Sequence, residues 1–195
     1  MLLSFLCNNC HRAWRAGGKT LQPRRVSALI VPGNKKDTTY LPFWRIRAQV
    51  SGMILNTVAD FVKAANLPKV ITEDMTKDKF YFWSPAFRLD PDSFVRLGNL
   101  MTINQSAEVP ENTLPDANAF SVTLPVKEAV ESLKTTLSGF IKPKRIFYKR
   151  LPRMRIIPKR FMLVFIPFTD RPYELTHYKY PIAINKKMLT RMKSL

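Results

Sequence analysis

Phe161-Met162-Leu163-Val164-Phe165-Ile166-Pro167-Phe168 is the longest apolar run in the chain. Its eight residues, rich in β-branched and aromatic side chains, have the length and composition of a buried strand. They fall far short of the roughly 18–20 apolar residues that a membrane span needs. Asp170-Arg171-Pro172 marks a turn after the run, and Tyr173 to Tyr180 reads as the next strand.

Working outward, Thr38 to Val50 is a second extended segment. Arg45, Arg47 and Gln49 alternate there with Ile46, Ala48 and Val50, the period of a half-buried strand. Pro42 donates no ladder hydrogen bond, which predicts an edge position or a bulge for this strand. Val26 to Val31, stopped by Pro32-Gly33-Asn34, Phe80 to Trp83 and Phe120 to Leu124 read as further strands. Tyr40-Leu41-Pro42-Phe43 and Phe165-Ile166-Pro167-Phe168 share an aromatic-aliphatic-Pro-Phe pattern, which hints at two similar β-units packed together.

Three to four helices are expected. Thr57 to Asn66 forms the first, ended by Leu67-Pro68. Asp90-Pro91 begins the second, with aspartate as cap and proline in the first turn. The clearest carries Val126, Ala129, Val130, Leu133 and Leu137 on one face, with Gly139 placed to end it. Asn185 caps a closing helix bearing Met188, Leu189 and Met192. Together these define an α+β protein with mostly antiparallel sheet and three to four helices. Residues 26–195 are expected to form one domain, consistent with 195 residues in all.

The net charge of +18 is unevenly spread. Residues 1–36 hold seven Lys/Arg and no acid, residues 37–138 hold ten basic and twelve acidic residues, and residues 139–195 hold fifteen basic and two acidic. The ends therefore carry the positive field. Lys142, Lys144, Arg145, Lys149, Arg150, Arg153, Arg155, Lys159 and Arg160 lie within nineteen residues. Pro143, Pro152 and Pro158 forbid a long helix there. The expectation is a proline-spaced, partly extended basic arm at about 142–160.

The N-terminus holds both cysteines, Cys7-Asn8-Asn9-Cys10. This is one pair, not a disulfide framework, and points to metal or redox chemistry in a reducing compartment. Two thiolates at this spacing converge on one ion, about 2.3 Å away for zinc. A structural zinc site needs four ligands. His11 adjoins Cys10 too closely to serve easily as a third, and His177 is remote. The site at Cys7 and Cys10 is incomplete as written. It is vestigial, shared between subunits, or completed by an upstream segment, and zinc is expected only in the last two cases. Cys7 to His11 also matches the c-type haem pattern, but that attachment requires export. Leu2 to Leu6 lacks the basic flank and cleavage site of an export signal. The expectation is a cytoplasmic protein without haem. The arginine-rich, acid-free start leaves the mitochondrial matrix as the minority alternative.

The motif Leu6-Cys7-x-Asn9-Cys10-His11-x-Ala13-Trp14, followed by Tyr40-Leu41-Pro42-Phe43-Trp44-Arg45-Ile46-Arg47, then Ser84-Pro85-Ala86-Phe87 and Phe165-Ile166-Pro167-Phe168, resembles a group of uncharacterised bacterial zinc-ribbon-containing proteins. The resemblance implies an upstream Cys-Pro-x-Cys-Gly knuckle and an aromatic-rich body. Two of its four implied ligands map onto Cys7 and Cys10, and the other two have no counterpart. Residues 1–25 then read as the second half of a ribbon. The group implies no activity.

No catalytic motif emerges. Neither histidine sits in a recognisable nucleophile–base arrangement, and no Gly-x-Gly-x-x-Gly or Walker-type loop is present. The reading is a non-enzymatic binding protein. Its basic segment neutralises phosphates of nucleic acid or another polyanion. Arg45 and Arg47 are secondary contacts, and Tyr148, Phe147 and Trp44 could stack on bases if exposed. Two alternatives stand beside it: a zinc-ribbon scaffold for a protein partner, and attachment to anionic membrane surface through the same arm.

Overall fold

The computed structural model describes residues 5–7, 12–17, 20–24, 26–28, 37–104, 115, 118–141 and 144–190; before residue 37, and at Ile146, Arg150 and Thr190, it describes the backbone alone. Three short strands open the chain, β1 (Phe5–Cys7), β2 (Arg12–Gly17) and β3 (Thr20–Arg24), paired as an antiparallel meander. β4 (Val26–Ala28) belongs to the main sheet.

The main sheet is built on two long strands, β5 (Thr38–Val50) and β8 (Ile156–Asp170), antiparallel along the whole of β5. Their side chains alternate between two cores, as the period of a strand requires. Trp44, Ile46, Ala48, Val50, Leu163 and Phe165 face one core. Leu41, Phe43, Val164, Ile166 and Phe168 face the other. The apolar run identified in the sequence is thus covered on both faces from Leu163 to Phe168, whereas Phe161 and Met162 are 43% and 38% exposed. β8 begins five residues before that run, because Ile156 to Arg160 continue the pairing with β5 past a bulge.

Pro42 lies in the interior of the sheet, not at the edge its chemistry suggested. Its backbone oxygen accepts the Ala86 N–H at 2.9 Å, on the side away from β8. In an extended strand the N–H position of a residue lies on the same side as its C=O. The missing donor of Pro42 therefore falls where β6 (Phe82–Pro85) ends and β7 (Asn118–Ala119) has yet to begin. Pro167, opposite Tyr40, has its counterpart gap between β4, which pairs with residues 163–165, and β9 (Glu174–His177), which pairs with residues 168–170.

Two-fold order accounts for both. Every antiparallel pair has a local two-fold axis between directly opposed residues. The axis at the Leu41–Ile166 pair relates the two aromatic-aliphatic-Pro-Phe motifs residue by residue. It brings Phe43 and Phe168 into a stack with centroids 6.3 Å apart. Each long strand is flanked by an antiparallel strand after its proline, β6 or β9, and by a short parallel strand before it. The parallel strands are exchanged: β4 precedes β5 but pairs with β8, and β7 precedes β8 but pairs with β5.

The helices follow their local signals. α1 (Val58–Ala64) has a complete capping box between Thr57 and Asp60. α2 (Glu73–Lys77) is a short helix capped by Thr72. In α3 (Pro91–Ile103), Asp90 accepts the Ser93 N–H and proline occupies the first turn. α4 (Val126–Phe140) buries Ala129, Leu133, Thr136, Leu137 and Phe140. It continues past Gly139 because Phe140 packs edge-on against Phe61 with centroids 5.2 Å apart. α6 (Lys186–Thr190) follows β10 (Ala183–Asn185), with the Lys187 N–H bonded to the Asn185 side chain. The segment from Phe120 to Leu124, expected as a strand, instead crosses over: the N–H groups of Thr123 and Leu124 both bond the Ala86 oxygen.

Helix α3 also covers a sheet edge. The N–H and C=O of Trp83 point away from β5, and the Thr102 hydroxyl satisfies both, accepting at 3.0 Å and donating at 3.3 Å. Gly98 permits this approach, since a methyl group there would lie 3.3 Å from the Trp83 oxygen. Among the described residues no helix is long and apolar enough to cross a membrane.

Candidate anion-binding faces

The basic segment is partly extended, with Lys159 and Arg160 on β8, and partly helical. Lys144–Arg150 forms helix α5, and Leu151–Arg153 one 3-10 turn. Pro143 and Pro152 leave room for about two helical turns, and two apolar residues dock them. Phe147 (4% exposed) and Met154 (6% exposed) enter the core beneath α4. Around them Lys144, Arg145, Tyr148, Lys149, Arg153 and Arg155 are exposed. No acidic residue occurs between Glu131 and Asp170. The ion pairs found among the described residues lie elsewhere, at Lys77–Glu73, Arg88–Glu128 and Lys186–Asp170. The result is one amphipathic module with its apolar side in the core and an acid-free cationic side toward solvent. Lys142 and the side chain of Arg150 lie outside the described residues.

Two of the three aromatics expected to stack on bases are unavailable. Phe147 is core, and Trp44 is buried with its indole N–H donated to the Leu124 oxygen at 2.9 Å. Tyr148 alone remains, half exposed, beside Lys144 and Lys149.

A second cationic group lies on the other face of the sheet. Arg45 and Arg47 alternate with core-facing Ile46 and Ala48, so they face away from the layer that holds α5. The register of β8 brings Met162 opposite Arg45 and Arg160 opposite Arg47. Immediately beyond, the register shifts, and β8 carries Lys159 as an additional residue. Arg45 is the most enclosed of this group. Its guanidinium carbon stands 3.9 Å from the Tyr81 ring centre and 5.6 Å from that of Trp83. Its Nε is buried with no hydrogen-bond partner among the described residues. Burial pushes the Arg45 pKa down from its ordinary value, and Tyr81 acts in the opposite sense. Sequence alternation marked Arg45 and Arg47 as a pair. Nothing local marked Arg160 or Tyr81 as their neighbours, because those contacts depend on register between distant strands.

His177 has a structural role. Its Nδ1 accepts the N–H groups of Lys179 (3.0 Å) and Tyr180 (3.2 Å), closing the turn after β9. The ring packs among Phe168, Tyr178 and Tyr180.

The backbone of Cys7 ends β1, opposite Arg12. Its side chain, Cys10 and His11 lie outside the described residues. Among the described residues no group of three or more His, Cys, Asp or Glu is arranged to hold a metal ion. Comparison of the chain with protein-family models, with curated proteins and with solved structures returned no match.

Proposed function

We propose that this protein binds nucleic acid through α5 and the turn that follows it, by contact with the phosphate backbone. The observation that carries this reading is the acid-free, solvent-facing set Lys144, Arg145, Lys149, Arg153 and Arg155, held in place by buried Phe147 and Met154. Such a set releases condensed counterions on binding, so affinity depends steeply on salt and weakly on sequence. Of Trp44, Phe147 and Tyr148, Tyr148 is the one placed to add stacking, which is worth about 1–3 kcal/mol per base.

Fluorescence anisotropy with single-stranded and duplex oligonucleotides, over a salt series, tests the proposal. With four or five phosphates neutralised, log K should fall with log salt at a slope of roughly −3 to −4. The variant Lys144→Gln/Arg145→Gln/Lys149→Gln should reduce that slope by about 2–3, with little effect on folding because these side chains are exposed. A flat salt dependence, or an unchanged slope in the variant, would refute the proposal. Binding confined to anionic vesicles would move the function to a membrane surface.

A further inference from the structure

The cluster of Arg45, Arg47 and Arg160 carries two uncompensated costs. A buried N–H on a cation without a partner is penalised more heavily than a neutral donor. Arg45 Nε is such a group. Like charges directly opposed across a strand pair also destabilise it, and Arg47 faces Arg160 in that way. Tyr81 holds the Arg45 guanidinium against the sheet, and the strand register sets Arg47 directly beside Arg160 on the same face. An oxyanion of more than one charge seated on this face would offset the mutual repulsion of these cations.

We propose that Arg45, Arg47 and Arg160 form a binding site for a phosphoryl group, on the face of the sheet opposite α5 and independent of it. Three guanidinium groups suit a doubly charged, three-oxygen acceptor, because each planar fork donates parallel hydrogen bonds. A carboxylate offers one charge and two oxygens and would leave part of the cluster uncompensated. The aromatic residues here do not read bases. Trp83 is 1% exposed, and Arg45 covers the Tyr81 ring. The phosphoryl group could be free phosphate or the end group of a phosphomonoester.

Thermal denaturation of the full chain at constant ionic strength tests this with three probes: inorganic phosphate, a nucleoside 5′-monophosphate, and an oligonucleotide without terminal phosphate. Inorganic phosphate is expected to raise the Tm by roughly 5–10 °C at a hundredfold excess over its Kd. A much larger response to the monophosphate would identify a monoester as the occupant, and equal responses would identify phosphate itself. A response to the oligonucleotide alone would overturn the proposal, since α5 would then account for it.

Arg45→Met should keep a Tm close to the parent's without phosphate, because methionine can fill the same place against Tyr81, and should lose the phosphate response. Exposed Arg160→Gln should keep the fold and weaken phosphate at least tenfold, so it carries the test if Arg45→Met misfolds. An undiminished response in Arg160→Gln overturns the site. So does its loss in Lys144→Gln/Arg145→Gln/Lys149→Gln. If the site is real, that triple variant loses salt-dependent nucleic-acid binding while retaining the phosphate response.

Discussion

Replacing Thr102 by valine should destabilise the protein by about 2–4 kcal/mol without changing its shape. Thr102 is fully buried, and valine has nearly the same volume, so no cavity forms. The hydroxyl serves two backbone groups of Trp83, itself 1% exposed. Those groups face away from β5, and water cannot replace the hydroxyl beneath α3. Each buried group left without a partner costs about 1–3 kcal/mol, with the longer 3.3 Å bond at the low end. For a chain of this size the loss corresponds to roughly 4–16 °C in Tm. Urea denaturation followed by tryptophan fluorescence measures it. Thr102→Ser supplies the control: it retains the hydroxyl, loses one methyl and should cost only about 1 kcal/mol. If valine is tolerated as well as serine, the hydroxyl is not closing the sheet edge and the reasoning fails.

Other outcomes follow from single contacts. Trp44→Phe removes the donor to the Leu124 oxygen in a buried setting and should cost about 1–3 kcal/mol, measured by the same denaturation. Gly98→Ala and Gly139→Ala should differ in sign, although both gain helix propensity of up to about 1 kcal/mol. At Gly98 the new methyl meets the rigid Trp83 carbonyl, whereas at Gly139 it meets the end of the Asn99 side chain, which can rotate away. Equal effects would refute that distinction. Burial opposes ionisation of Asp60, but hydrogen bonds from Thr57 and Asn56, helped by Lys63, hold its pKa below 3.8. Because the folded-state value is depressed, the capping contribution is present above pH 3.8 and is lost as pH falls through the lowered value. Asp60→Ala should therefore cost about 0.5–1.5 kcal/mol at pH 7 and progressively less in acid, and a gap that stays constant to about pH 2.5 would contradict it.

Much of the fold was legible because its signals are local. Asp90-Pro91 opens α3, and the stripe on Val126 to Leu137 lies on α4, because caps and 3.6-residue periodicity act within a few residues. The alternation after Pro42 correctly separated core-facing Ile46 and Ala48 from Arg45 and Arg47. Register was not legible. Pro42 read as an edge or bulge residue because a single strand cannot reveal that both of its flanking partners stop beside the proline. The same blindness hid the arginine cluster, since Arg160 meets Arg47 only through pairing fixed by the Leu41–Ile166 region. The helix in the basic arm was not legible because its prolines bar only a long helix, and a short one depends on tertiary docking of residues such as buried Phe147. Aromatic residues could be counted in advance, but only packing decided that Trp44 and Phe147 face inward and Tyr148 outward.

The exchange of β4 and β7 has a consequence for how the chain is made. Val26 pairs with Leu163, which leaves the ribosome 137 positions later. At roughly 5–20 residues per second that is a wait of about 7–27 s. β5 waits almost as long for β8, its partner across the full strand. Neither half of the sheet can therefore be completed during synthesis of the first half. The nascent chain must carry Tyr40, Leu41, Phe43, Trp44 and Ile46 without their final cover until β8 arrives. The last strands to be synthesised close the sheet for the first.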